Sequence, residues 1–324
     1  MIGGIETVSG ILASELTDLG CEVIVVTETP SNLPTRKRYK VLRCPDFKCL
    51  NQTVRWSDVV FHNNISLRSA WPIALQGKPW MIAHHTWIPR SGAGALAGNL
   101  KRLASRCAHN VAVSQAIAKD LGRRCTIIPN PYDDHRFKID PHVRRDRDIV
   151  FVGRLVSDKG VDLLVKAIAL LGERGVRPTV SIIGSGDEGP RLRTLVAELR
   201  LDDQIKFLGQ VIDHSLVREL NRHRLMVIPS MWEEPFGIVA LEGIACGCVP
   251  VAARSGGLVD AVGECGVLFK KGDASDLSSK LQSLLGSQEK IAQFREKSAS
   301  HLLQHTKSSV GRAYLRALNE TLRR

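Results

Sequence analysis

The chain has 324 residues, 44% of them hydrophobic and 24% charged, with 14 prolines. That is long for one domain, comfortable for two, and too rich in core-forming residues for extensive disorder. The net charge is +12, which leaves anionic lipid, nucleic acid, a phosphorylated small molecule or a plain solvated basic surface as explanations. Aromatics are 5% of the chain and do not interleave with the basic runs, which speaks against a stacking surface for nucleic acid. No apolar run approaches the roughly 18 residues of a membrane span, and no basic-then-apolar secretory leader opens the chain.

The elements are read in chain order. Ile5, Val8, Ile11, Leu12, Leu16 and Leu19 follow helical spacing, and Gly20 is a stop. Strands are expected at Glu22–Thr27, Tyr39–Arg43, Asp58–His62, Trp80–His84, Asn110–Val113 and Thr126–Ile128. Gly92, Gly94 and Gly98 read as a mobile loop, since no strand leads directly into them. A polar, basic stretch from Asp133 to Arg147 precedes a second series. Its strands are expected at Ile149–Val152, Thr179–Ile183, Ile205–Leu208, Leu225–Pro229, Val249–Ala252 and Gly266–Phe269. Helices are expected at Val161–Leu171, Glu188–Leu199, Ser215–Asn221, Gly237–Ala245 and Leu258–Val262, with further helices to the end.

Such alternation implies parallel sheets with right-handed crossovers. The fold class is α/β, with two doubly wound, Rossmann-like domains facing each other across a cleft. The expected divisions are residues 1–140, residues 141–300, and a C-terminal helix over 301–324 that packs back toward the first domain. A doubly wound domain opens on a strand, whereas this chain opens on Met1-Ile2-Gly3-Gly4 and a helix; either the start is late or the first domain lacks its opening strand.

The segment from Pro229 to Glu242 carries the most chemistry. A strand ends near Pro229, and a helix starts around Phe236 and Gly237. Its N-terminus offers unpaired N–H groups and partial positive charge to an anion. Glu234 stands just before that start. Glu242 lies within the apolar stretch Ile238–Val249, where a carboxylate is costly unless partnered. Arg154 and Lys159, five residues apart on the turn after Ile149–Val152, can grip a diphosphate. Gly184 and Gly186, and Gly256 and Gly257, mark two further strand-to-helix turns. His84 and His85 end a strand, where either a core role or a sugar contact fits. Asp146-Arg147-Asp148 is an Asp-x-Asp triplet that more simply flanks a strand than binds a metal. The eight cysteines read as buried free thiols of a reducing cytosol, and no zinc spacing is present.

On these residues the chain resembles the family 4 retaining glycosyltransferases, whose GT-B fold pairs two Rossmann-like domains. Glu234 and Glu242 meet the family's Glu-x7-Glu signature around Phe236, Gly237 and Ile238. Phe151 to Leu155 with Lys159 looks like its diphosphate-gripping loop, Gly184 lies in its third landmark, and Val211 stands at its base-binding turn. Gly3 and Gly4 are similar to its glycine loop, and His85 to its active-site histidine. Pro131 and Asp260 depart from the usual glycine and glutamate.

The resemblance implies transfer of a hexose from a UDP- or GDP-linked sugar to a glycan, lipid-linked or small-molecule acceptor, with retention and without a metal or other cofactor. Glu234, His85, Arg154 and Lys159 are the implied catalytic set. Gly3, Gly4, Gly184, Val211, Phe236, Gly237, Ile238 and Glu242 are the implied donor-binding set. A cytoplasmic location follows, with peripheral contact at the inner membrane face through the basic first domain. An epimerase-like enzyme and an inactive donor-binding homologue share these features. A nicotinamide oxidoreductase does not, because no G-x-G-x-x-G follows a first strand.

Overall fold

The computed structural model describes residues 4–30 and 37–324. The chain divides into a first unit of Met1–Pro131 with Thr306–Arg324, and a second unit of Tyr132–His305.

The first unit runs α1 (Gly4–Asp18), β1 (Ile24–Thr27), β2 (Lys40–Arg43), α2 (Phe47–Trp56), β3 (Val60–Asn63), α3 (Leu67–Gln76), β4 (Trp80–His84), α4 (Ala95–Ala104), β5 (His109–Ala112), α5 (Gln115–Leu121) and β6 (Thr126–Ile127). The strands β3-β4-β5-β6 make one parallel sheet, and β1-β2 make a separate parallel pair. A doubly wound sheet of order 3-2-1-4-5-6 has one strand between such a pair and such a set. No described residue takes that place, and among the described residues no strand precedes α1. The strands β4 and β5 are buried along their whole length, whereas no residue of β1 or β2 is.

The second unit runs β7 (Arg147–Val152), α6 (Val161–Glu173), β8 (Val180–Ile183), α7 (Gly189–Glu198), β9 (Ile205–Gly209), α8 (Asp213–Arg222), β10 (His223–Ile228), α9 (Ile238–Ala245), β11 (Val249–Ala253), α10 (Leu258–Val262), β12 (Val267–Phe269), α11 (Ala274–Leu285), α12 (Gln288–Glu296) and α13 (Ser298–Leu303). Its six strands are parallel in the order β12-β11-β10-β7-β8-β9. The order reverses between β7 and β10, and ligands of open parallel sheets bind beyond the carboxyl ends at such a point. Strand residues such as Ile149, Ile182 and Leu225 pack under Leu164 and Ile168 of α6 and Leu277 and Leu281 of α11. Each buried side chain of this size contributes about 1.5–3 kcal/mol.

The divisions differ from 140 and 300 for local reasons. Phe137 is buried, and Asn221 bonds Asp140 N at 2.8 Å and Lys138 O at 3.0 Å. The basic stretch is thus stitched to α8 and belongs to the second unit. His301 reaches Ala261 O at 2.9 Å, which keeps the chain there through residue 305. The last helix, α14 (Lys307–Leu322), belongs to the first unit. It packs on α1, and its Thr321 meets His109 at 2.8 Å.

Gly92–Gly98 is not a loop. Gly92–Gly94 form a 3-10 turn, and Gly98 lies inside α4. Its missing side chain is required by packing, because a Cβ there would stand 1.9 Å from Pro89 O. The cysteines also differ from the uniform expectation. Cys246, Cys248 and Cys265 are buried, while Cys44 and Cys107 are exposed.

Candidate donor site

The carboxyl ends of β7 and β10 bring Lys159 and Glu234 together. Lys159 Nζ donates to Glu234 Oε1, and Ser230 Oγ donates to the same oxygen at 2.9 Å. The side chains retain 21% and 17% of their exposure, so the pair is neither solvated nor sealed. Among the described residues nothing bonds Glu234 Oε2.

The backbone holds this arrangement. Asp158 O accepts from Met231 N at 2.8 Å and from Trp232 N at 3.1 Å, joining the β7 loop to the β10 loop. Gly160, with φ of 64°, lies so close that a Cβ would come 2.1 Å from Pro229 O. On the other side Gly257 N donates to Glu234 O at 2.7 Å. Glu234 is therefore fixed from the β11–α10 turn as well as by its ion pair.

Arg154 is exposed and has no ion-pair partner among the described residues. Its neighbour Gly153 packs on Gly184, whose φ is 138° and whose added Cβ would lie 1.8 Å from Gly153 O. Glycine at 184 thus serves loop-to-loop contact in the protein itself. Val211 is half-buried between β9 and α8.

Helix α9 starts at Ile238, with Gly237 as its left-handed cap (φ 108°). The first helical residue thus stands two positions after Phe236. The Phe236 ring is buried and lies 5.6 Å from that of His305. Ile238 is half-buried. Glu242 sits about one turn on, and among the described residues its carboxylate makes no hydrogen bond or ion pair. Burial pushes it up to about 7, opposed by Arg136 and reinforced by Asp133 through space. A desolvated acid without a partner is a group prepared for a ligand.

Asp146 and Asp148 are otherwise engaged. Arg222 binds Asp146 at 3.1 Å, and Asp148 bonds Arg224 at 3.3 Å and Thr179 N at 2.9 Å. Among the described residues no group of three His, Cys, Asp or Glu side chains is placed to hold a metal ion.

In the first unit the two histidines part. His84 Nε2 meets Asn110 Oδ1 at 2.8 Å, and Asn110 in turn donates to Ser105 O and Ala108 O, making His84 structural. His85 follows the end of β4. Its backbone N donates to Asn64 Oδ1 at 2.7 Å. Burial pushes its imidazole down to about 4, against a smaller upward pull from Asn130. Among the described residues neither ring nitrogen meets a partner at good hydrogen-bond geometry. Gly4 opens α1, and Gly3 lies outside the described residues.

Sequence reasoning missed three neighbours of the site: Ser230, Arg136 and the half-exposed Trp232 (51%). Ser230 was the one with a signal, directly after the strand end and four residues before Glu234.

Two Rossmann-like units, with a cation and a carboxylate meeting at the switch point of the second, define the architecture of the GT-B glycosyltransferases. Residues 133–301 match the family model described as Glycosyl transferases group 1, and residues 2–136 match Glycosyltransferase Family 4; the chain belongs to this family of glycosyltransferases. It is 26% identical over 321 residues to the phosphatidylinositol N-acetylglucosaminyltransferase gpi3 subunit of Schizosaccharomyces pombe, covering 87% of this chain and 70% of that protein. It is 32% identical to a D-inositol 3-phosphate glycosyltransferase of Stackebrandtia nassauensis, over 54% of this chain and 42% of the relative, so less than half of that protein is spanned. Among solved structures, Anabaena Alr3699/HepE in complex with UDP superposes with a TM-score of 0.83 at 20% identity, covering 98% of this chain and 96% of that one. This likeness shows the fold.

Proposed function

We propose that the chain transfers a hexose from a UDP- or GDP-linked sugar, with retention and without a metal ion, to a glycan, lipid-linked or small-molecule acceptor. The observation that carries this reading is the Lys159–Glu234 pair at the switch point, flanked by Arg154 and Glu242, neither of which has an ion-pair partner among the described residues. The names of the yeast and bacterial relatives, which act on inositol-containing acceptors, support an acceptor of that polarity.

Arg154, Lys159 and the first N–H groups of α9 stabilise negative charge on the leaving diphosphate. Glu242 accepts hydrogen bonds from the ribose hydroxyls. Glu234 holds donor-sugar hydroxyls through Oε2 while Lys159 and Ser230 hold Oε1. His85, neutral at physiological pH, offers a hydrogen bond to a hydroxyl. The acceptor oxygen attacks the anomeric carbon as the bond from that carbon to the β-phosphate oxygen breaks, on the same face. The departing diphosphate takes the acceptor proton, so no protein nucleophile is used.

The test is donor hydrolysis or transfer, with UDP and GDP binding by calorimetry, for Lys159→Ala and Glu234→Ala. Loss of turnover by roughly a hundredfold or more in each is expected. Unchanged turnover in both overturns the assignment.

A further inference from the structure

The geometry points to a membrane-docking face on α4 of the first unit: we infer that Leu96, Leu100 and Leu103 enter the surface of an anionic bilayer. The three leucines are spaced i, i+4 and i+7, which puts them on one face of a helix. They are 75%, 48% and 57% exposed. An amphipathic helix ordinarily turns its apolar stripe to the core. Here the opposite face is the one turned inward.

That reversal is locked by specific contacts. Gly98 lies against the Pro89 backbone, with no room for a Cβ. Arg102 donates to Asp120 Oδ2 at 2.7 Å, Asp120 O at 3.0 Å and Ile88 O at 2.8 Å. Rotating α4 to bury its leucines would break all of these at once. Leu75 on the adjacent α3, also 75% exposed, adds to the apolar surface.

Charge selects the occupant. Between Trp87 and Arg124 the sequence carries seven lysines and arginines and one acid, Asp120. That acid is already held by Arg90 and Arg102. Lys101 and Arg106 have no ion-pair partner among the described residues, and Arg123 lies within electrostatic reach of both Arg106 and Arg102. An apolar stripe beside uncompensated cations fits acyl chains beneath anionic headgroups. A second copy of the chain fits poorly, because it would bring two such cationic faces together. The inference stands on this surface alone and does not depend on the donor or acceptor chemistry. Among the described residues no helix is long and apolar enough to cross a membrane.

Flotation of the full chain with phosphatidylcholine vesicles, with and without phosphatidylglycerol, tests it. Binding to the anionic vesicles is expected, and Leu96→Gln, Leu100→Gln and Leu103→Gln together should lower partitioning by roughly tenfold or more. The melting temperature should hold, since these side chains are exposed. Lys101→Glu with Arg106→Glu should remove the preference for anionic lipid, and Ile139→Gln, exposed on the second unit, should change nothing. Equal binding of the triple-leucine variant and the wild type overturns the inference. So does equal binding of the wild type to both vesicle types, or a dimer that the leucine substitutions dissociate in a chain that ignores vesicles.

Discussion

Glu242→Gln keeps the shape of the side chain and removes its charge, which isolates what burial of this carboxylate costs. Its protonation midpoint is raised from 4.5 to about 7, chiefly by desolvation. Each pH unit of displacement is worth about 1.4 kcal/mol, so full ionisation in the folded chain costs about 3 kcal/mol. The sign follows from proton counting. Between pH 4.5 and 7 the unfolded chain has released this proton and the folded chain has kept it. Wild-type stability therefore falls as pH rises through that window, while below it the charge contributes nothing. Glutamine has no such dependence. Hydrogen exchange of the Leu225–Ala253 core amides, followed across pH, should show the variant equal to wild type near pH 4.5. It should be about 3 kcal/mol more stable above pH 8. UDP and GDP titration should move the other way, with weaker binding by the more stable protein. Parallel pH profiles for the two proteins would refute the claim that this half-buried acid is desolvated without a partner among the described residues.

Gly184→Ala forces a Cβ to within 1.8 Å of Gly153 O at a φ of 138°. It should lower second-unit stability by more than about 3 kcal/mol in the same exchange measurement, and a neutral result would deny the close approach. A double-mutant cycle on Lys159→Met and Glu234→Gln should give a coupling of about 1–3 kcal/mol in denaturant unfolding; additive effects would mean that the ion pair is not formed. The His85 imidazole should titrate near 4 by NMR, leaving it neutral at pH 6. A midpoint near 6.5 would show that it is solvated.

Much of this was readable from local pattern. Trp80–His84 and Leu258–Val262 have the expected bounds, because each is a short apolar run closed by a polar or glycine residue. The segment carrying Glu234 and Glu242 was visible as a carboxylate stranded among apolar residues. What depended on distant partners was not. The ion pair of Lys159 and Glu234 spans 75 residues of sequence, and only the order β10-β7 makes it possible. Phe236 stands beside a helix start, and its ring lies near that of His305, a partner far away in sequence. Asp133 to Arg147 is polar and reads as a linker, but Asn221 and the carbonyls taken by Arg145 anchor it. The leucines of α4 follow the pattern of a core helix, and only Gly98 against Pro89 reveals which side is inside.

The turns around the switch point touch through main chain: Gly160 on Pro229, Gly184 on Gly153, Gly257 on Glu234. Shape and chemistry are thereby uncoupled. The outward side chains Ser185 and Trp232 can be exchanged while the frame beneath them stays in register. A library randomised at those two positions, with the glycines and Arg154 held constant, would sample donor preference on a scaffold that still folds. A library that includes the glycines would lose most of its members before any of them met a sugar.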